Sequence, residues 1–169
     1  MPRIEATAAV PVTPEVAFAV SQSQGELRYR WDPFVREQRL LDGADRPGKG
    51  VRTFTRSRHG LSMVSEYLAF NPPRQVGMRM VSGPWFFRTF SGGWGFAARD
   101  DGGTDATWRY SFNIRPAWLA LVADPVGRWF LRRDIERRIA GFARGCADPD
   151  LVAAIVAGAA IDNRPDPAG

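Results

Sequence analysis

Between residues 102 and 146 the chain passes from one hydrophobic period to another. Ala106, Trp108, Tyr110, Phe112 and Ile114 alternate with Thr107, Arg109, Ser111, Asn113 and Arg115. A period of two marks a strand with one apolar face. Further on, Leu131, Ile135, Ile139, Phe142 and Cys146 fall in one stripe, the mark of an amphipathic helix. Asp124 followed by Pro125 predicts where that helix begins: an N-cap acceptor, then a residue whose missing N–H costs nothing at the first position. A long strand and a long helix, each with one apolar face, predict that the remaining strands curl around the helix.

The chain before this stretch is punctuated at short intervals. Ile4 to Val10 alternates weakly and reads as a first strand. Thr13-Pro14-Glu15 opens a short helix to about Ser21, and a second covers Gln24 to Tyr29 before Pro33 stops it. Strands follow over Phe34–Leu41, Val51–Arg58, Leu61–Phe70, Gln75–Val81 and Trp85–Arg99, with Gly92-Gly93 expected to bend the last. The turns between them are Gly- and Pro-rich and of hairpin length, which predicts an antiparallel sheet. The expected class is therefore α+β: a curved seven-stranded antiparallel sheet around a long C-terminal helix, with two short helices after the first strand. Residues 1–147 form this domain. Asp148-Pro149-Asp150 caps a further apolar helix over 148–161, and residues 162–169, with two prolines, are expected to be a disordered tail.

Composition narrows the chemistry. The net charge is +5, but the arginines are interleaved with acids, as in Arg132, Arg133, Asp134, Glu136, Arg137 and Arg138. Such spacing builds a solvated helix face, with Asp134–Arg138 and Arg132–Glu136 pairs, rather than a nucleic-acid surface. Cys146 is the only cysteine and His59 the only histidine, so neither an intrachain disulfide nor a Cys- or His-rich metal site is expected. No cofactor is implied. Arg3 and Glu5 stand where a signal peptide needs apolar residues, and no apolar run is long enough to span a membrane; a cytoplasmic location is expected.

Taken in order, the opening strand followed by VTPEVAF, then RWDPF, PGKGVR, FNPPRQV and GGTDATWRYSF leading into a long Arg-rich helix resemble the START-like superfamily. This is also called the polyketide cyclase/dehydrase and lipid-transport (SRPBCC) family. The resemblance covers residues 3–146 and is specific to the superfamily, not to one activity. It implies the helix-grip fold, in which a curved sheet and a long helix leave a cavity between them.

The implied cavity wall draws Phe90 from the sixth strand, Trp108, Tyr110 and Phe112 from the last strand and Leu131, Ile135 and Ile139 from the helix, with Met78 and Met80 as adaptable surface; Asp134 and Arg138 flank the helix stripe and either reach the cavity mouth or pair on the surface. In the sixth strand Phe86, Phe90, Trp94 and Phe96 share a parity with Arg88. In the fourth, Val64, Leu68 and Phe70 share one with Glu66, although Leu61, Met63 and Tyr67 make the opposite face nearly as apolar. If both charges point inward, they pair or address a ligand's polar end. Tyr110, Tyr67 and Asn113 can hydrogen-bond a carbonyl. His59, beside Gly60, reads as a solvated turn residue.

Three functions fit. The first is binding or transport of a lipid-like, polyketide-like or aromatic molecule. The second is a metal-free polyketide aromatase/cyclase or dehydratase. The third is an interaction module with a vestigial cavity, docking a partner or forming a homodimer through the C-terminal helix.

Overall fold

The computed structural model describes residues 3–114 and 117–162, with the backbone alone for 117–128, 130 and 159–162. The period-two segments form β1 (Arg3–Val10), β2 (Val35–Leu40), β3 (Arg52–Ser57), β4 (Ser62–Asn71), β5 (Gln75–Ser82), β6 (Phe87–Ala98) and β7 (Thr104–Ile114). They join in one curled antiparallel sheet of order β1-β7-β6-β5-β4-β3-β2. Sequential hairpins account for β2 to β7. Only β1 is displaced, pairing with β7 from Arg3↔Ser111 to Val10↔Thr104. The helices are α1 (Pro14–Gln22), α2 (Gly25–Trp31), α3 (Ala117–Ala147) and α4 (Pro149–Asp162). This is the curled sheet around a long helix expected from the pattern, and the helix-grip fold that the resemblance implies.

The alternation in β7 holds through the sheet. Ala106, Trp108, Tyr110 and Phe112 are buried, and Arg109 on the other face reaches Glu5 on β1 at 3.2 Å. Arg115 lies outside the described residues, as do residues 163–169. On α3 the expected stripe is also buried: Ile135, Ile139, Phe142 and Cys146 face the core while Leu131 is half-buried. The helix begins at Ala117, however, so Asp124 and Pro125 lie inside it. An N-cap preference is worth only about 1 kcal/mol and yields readily to tertiary context.

Two glycines set how closely α3 meets the segment after α2. A Cβ on Gly141 would stand 2.3 Å from the Trp31 carbonyl oxygen, and one on Gly145 would stand 2.7 Å from Trp31 Cβ. The bare backbone at these positions lets RWDPF lie directly on the helix, where Trp31 meets Phe142 edge to face at 5.3 Å. The α4 helix is capped as the sequence predicts: Asp148 Oδ1 accepts from the N–H groups of Asp150 and Leu151 at 3.0 and 3.1 Å. It packs on α1 and α3, with Leu151 and Ile155 in the chain's own core. No described helix is long and apolar enough to cross a membrane.

Candidate ligand cavity

The concave face of the sheet is lined with rings because its alternating positions carry them. Phe90, Gly92, Trp94 and Phe96 stand opposite Phe112, Tyr110, Trp108 and Ala106 in register. Trp94 and Trp108 meet edge to face at 4.1 Å, and the Phe90 and Tyr110 rings lie tilted at 5.0 Å. Gly92 breaks the row. A Cβ there would touch the Tyr110 ring at 3.0 Å, so its absence keeps this stretch of wall open. The result is a partly open cavity of about 100 Å³ between the sheet, α2 and α3. Met78, Phe90, Trp108 and Tyr110, all expected on the wall, line it; so does Tyr67.

The other expected residues stand elsewhere. Phe112, Ile135 and Ile139 are core residues that do not reach the cavity, and half-buried Leu131 also stands off it. Phe112 packs instead against Phe87 at 6.2 Å. Met80 lies beyond the wall, near Met63 and Gly83. Asn113 has the opposite parity to Tyr110 and does not line the cavity.

Glu66 and Arg88, which the pattern allows to point either way, both point outward, so neither addresses the cavity. In β4 it is Ser65 and Tyr67 that are buried, so Glu66 falls on the outer face. There it lies in register with Arg52 and Arg79 and pairs with Arg79 at 3.0 Å. In β6 the parity is broken by a bulge between Phe87 and Thr89, not at Gly92-Gly93, which pair regularly with Tyr110 and Arg109. The extra residue at Arg88 turns its side chain to solvent while Phe87 and Phe90 both stay inward and in contact at 4.9 Å. His59 is exposed in the turn after β3, off the wall.

The polar centre comes instead from Asp32 and Arg28, which the periodicity does not single out, and from Arg138, which flanks the stripe of α3. Asp32, fully buried, accepts on Oδ2 from Arg28 Nε at 3.0 Å and Arg138 Nη2 at 2.8 Å. Its Oδ1 takes the Phe34 N–H at 3.1 Å. Arg138 Nη1 donates to the Tyr110 hydroxyl, and Arg28 Nη1 to the Ser21 carbonyl. The Arg138 guanidinium is sandwiched between the Phe34 ring at 4.6 Å and the Trp108 ring at 4.4 Å. Arg138 therefore does not pair with Asp134 on the surface, as its spacing suggests; the exposed Arg132–Glu136 pair does form, at 3.2 Å.

Burial alone would raise the Asp32 carboxyl, but Arg138 and Arg28 outweigh it and hold it below the usual carboxylate range. Burial pulls Arg28 down despite Asp32. It also opposes the charge on Arg138, where Asp32, Tyr110 and Asp134 more than offset it. Burial pushes the Tyr110 and Tyr67 phenols up to about 12.

A seven-stranded antiparallel sheet curled around a long C-terminal helix defines the helix-grip class of fold, and comparison with known proteins agrees. The chain belongs to the polyketide cyclase/dehydrase and lipid transport family, which matches residues 1–146. Solved structures with the same fold include the Zhui aromatase/cyclase from Streptomyces sp. R1128. It is 14% identical, with a TM-score of 0.71 over 86% of this chain and 93% of that one. A START superfamily protein from Mycobacterium smegmatis is 12% identical, with a TM-score of 0.60 over 82% and 97% of the two chains. A protein of Thermus thermophilus is 14% identical, with a TM-score of 0.70 over 90% and 98%. No curated protein matches the sequence.

Proposed function

We propose that the protein binds or carries a hydrophobic small molecule in the cavity between the sheet and α3. The observation that supports this most directly is the cavity itself: about 100 Å³ walled by Phe34, Tyr67, Phe90, Trp94, Trp108 and Tyr110, with Gly92 leaving the wall open. Aromatic clefts with a few fixed polar groups suit flat apolar ligands. The cyclase reading has less support. Among the described residues no carboxylate and no imidazole lines the wall, and Tyr110, with its phenol pushed up to about 12, is a poor base at neutral pH. A partner-docking role for α4 is also less favoured, because Leu151 and Ile155 are already spent on the chain's own core.

Native mass spectrometry of the freshly purified protein, with extraction of whatever it carries, tests the proposal. The expected result is a one-to-one complex with a hydrophobic species that is lost in Met78→Trp, which fills the cavity. A complex that persists unchanged in that folded variant overturns the assignment to this cavity.

A further inference from the structure

The β3–β4 and β5–β6 turns lie side by side at one end of the sheet, because Val64 near the start of β4 pairs with Ser82 at the end of β5. A Cβ on Gly83 would stand 3.3 Å from Met63 Cγ, so the second turn rests against the start of β4. Large apolar side chains are left in solvent here: Leu61 is 46% exposed, Val81 50% and Trp85 69%. Beside them Phe54 and Val64 pair in register and are half-buried. Thr53 and Ser57 are buried and Thr55 lines the cavity, so Phe54 and Arg56 face outward. Single apolar residues on a surface mean little, but a contiguous group rimmed by polar ones marks an interaction site.

Charge on this edge has one sign. From 51 to 98 the chain carries six arginines and a single carboxylate, Glu66. Glu66 stands two residues further along β4 and takes up Arg79 at 3.0 Å, while Asp42 takes up Arg52 at 2.7 Å. Arg56, Arg58 and Arg88, around the turns, are exposed and make no ion pair among the described residues. Asp134 on α3 is within reach of His59 in the β3–β4 turn. Burial raises its carboxyl, and Arg138 opposes this more than His59 does, so that half-buried carboxylate serves the buried network first.

Arginines set among exposed aliphatic and indole side chains suit one kind of partner. The phosphates of a nucleic acid would meet the arginines but offer nothing to Leu61 and Val81. An anionic bilayer takes all three kinds. Tryptophan settles at headgroup level, aliphatic side chains enter the acyl boundary, and basic residues meet anionic headgroups. A row of rings also joins this edge to the cavity. Trp85 meets Phe86 at 6.0 Å, Phe86 meets Phe87 at 4.7 Å, and Phe87 meets Phe90, on the cavity wall, at 4.9 Å.

We propose that the β3–β4 and β5–β6 turns form a docking edge for an anionic membrane surface. Trp85, Leu61 and Val81 enter the headgroup layer, and Arg56, Arg58 and Arg88 meet its phosphates. The docking goes beyond ligand binding and requires nothing in the cavity.

Co-sedimentation of the full chain with vesicles of phosphatidylcholine alone, and of phosphatidylcholine mixed with phosphatidylglycerol, tests this. Binding to the mixed vesicles is expected, with little to the neutral ones. Arg88→Ser should weaken it by about fivefold, the worth of one basic residue at an anionic surface. Arg144→Ser removes the same charge elsewhere, beside Phe142, which packs against Phe96 toward the other end of β6; it should change binding little. Trp85→Ser and Leu61→Ser, each leaving the charge intact, should weaken binding several-fold, and two such variants keep the test open if one misfolds. No preference for the anionic vesicles would overturn the proposal. Equal losses in Arg88→Ser and Arg144→Ser would do so too, since net charge and not this edge would then be responsible. Full binding in folded Trp85→Ser and Leu61→Ser would show that nothing inserts, and also overturns it. So does retention of a single-stranded oligonucleotide with the vesicles left unbound, which would make the edge a nucleic-acid site.

Discussion

Asp32 and Arg138 stand 106 positions apart in the chain and meet at 2.8 Å, both side chains withdrawn from solvent. The contact joins the end of α2 to the middle of α3. Through Arg28 and Tyr110 it also ties both helices to the cavity wall.

Asp32→Asn should be among the most damaging single changes. It removes the carboxylate that two buried guanidiniums share, and breaking a buried pair costs about 3–5 kcal/mol. Glu66→Gln, which breaks the outer pair with exposed Arg79, should change stability by no more than about 1 kcal/mol. Urea unfolding of the two variants side by side measures the contrast. Equal effects would show that the Asp32 network is not under the strain of burial described above.

Gly141→Ala should reverse the usual sign. In a helix interior the change normally gains about 1 kcal/mol. Here the new methyl would stand 2.3 Å from the Trp31 carbonyl oxygen and 2.9 Å from Pro33 Cδ, so backbone must move. A net loss of about 1–3 kcal/mol, the usual cost of overpacking, is expected. A stabilised variant on thermal or urea unfolding would mean that α2 and α3 do not meet as described.

Alkaline titration should find two hidden phenols. Burial raises Tyr67 and Tyr110 to about 12, with Arg28 and Arg138 pulling the other way; in the unfolded chain both titrate near pH 10. Their contribution to stability is whole below about pH 10 and is lost as the pH climbs through about 12. At about pH 11, Tyr67 and Tyr110 should add their tyrosinate absorbance only when denaturant is added. A full signal without denaturant would show that solvent reaches the cavity wall freely.

Cys146 should be inert to Ellman's reagent in the folded protein. The side chain is buried, and that burial pushes its thiol up to about 12, whereas reaction requires an accessible thiolate. One thiol should appear on unfolding. Rapid labelling under native conditions would show that the end of α3 opens readily.

Hydrophobic periodicity reaches some residues of the site and not others. Trp108 and Tyr110 were legible as wall residues because β7 keeps strict alternation and only one of its faces is apolar. The side Glu66 takes is not legible, because β4 is apolar on both faces and periodicity assigns it none. Nor is the side Arg88 takes legible, because a single bulged residue inverts parity, and a bulge leaves no signature in hydrophobicity. Arg138 carried a usable signal: it lies three residues after Ile135 and four before Phe142, inside the buried stripe of α3. Asp32 carried none, sitting between Trp31 and Pro33 where no period applies.

By itself, the amino-acid sequence determined the order and type of the elements, the antiparallel hairpins, the buried stripe of α3 and the capped start of α4. Each of these rests on contacts between near neighbours, and near neighbours are what spacing records. Tertiary structure alone decided the Arg28–Asp32–Arg138–Tyr110 network, the outward turn of Glu66 and Arg88, and the size of the cavity. Those depend on which distant segments meet, and at what distance, once the sheet has curled around the helix. A polar group's partner is then set by geometry in space, to which position along the chain is blind.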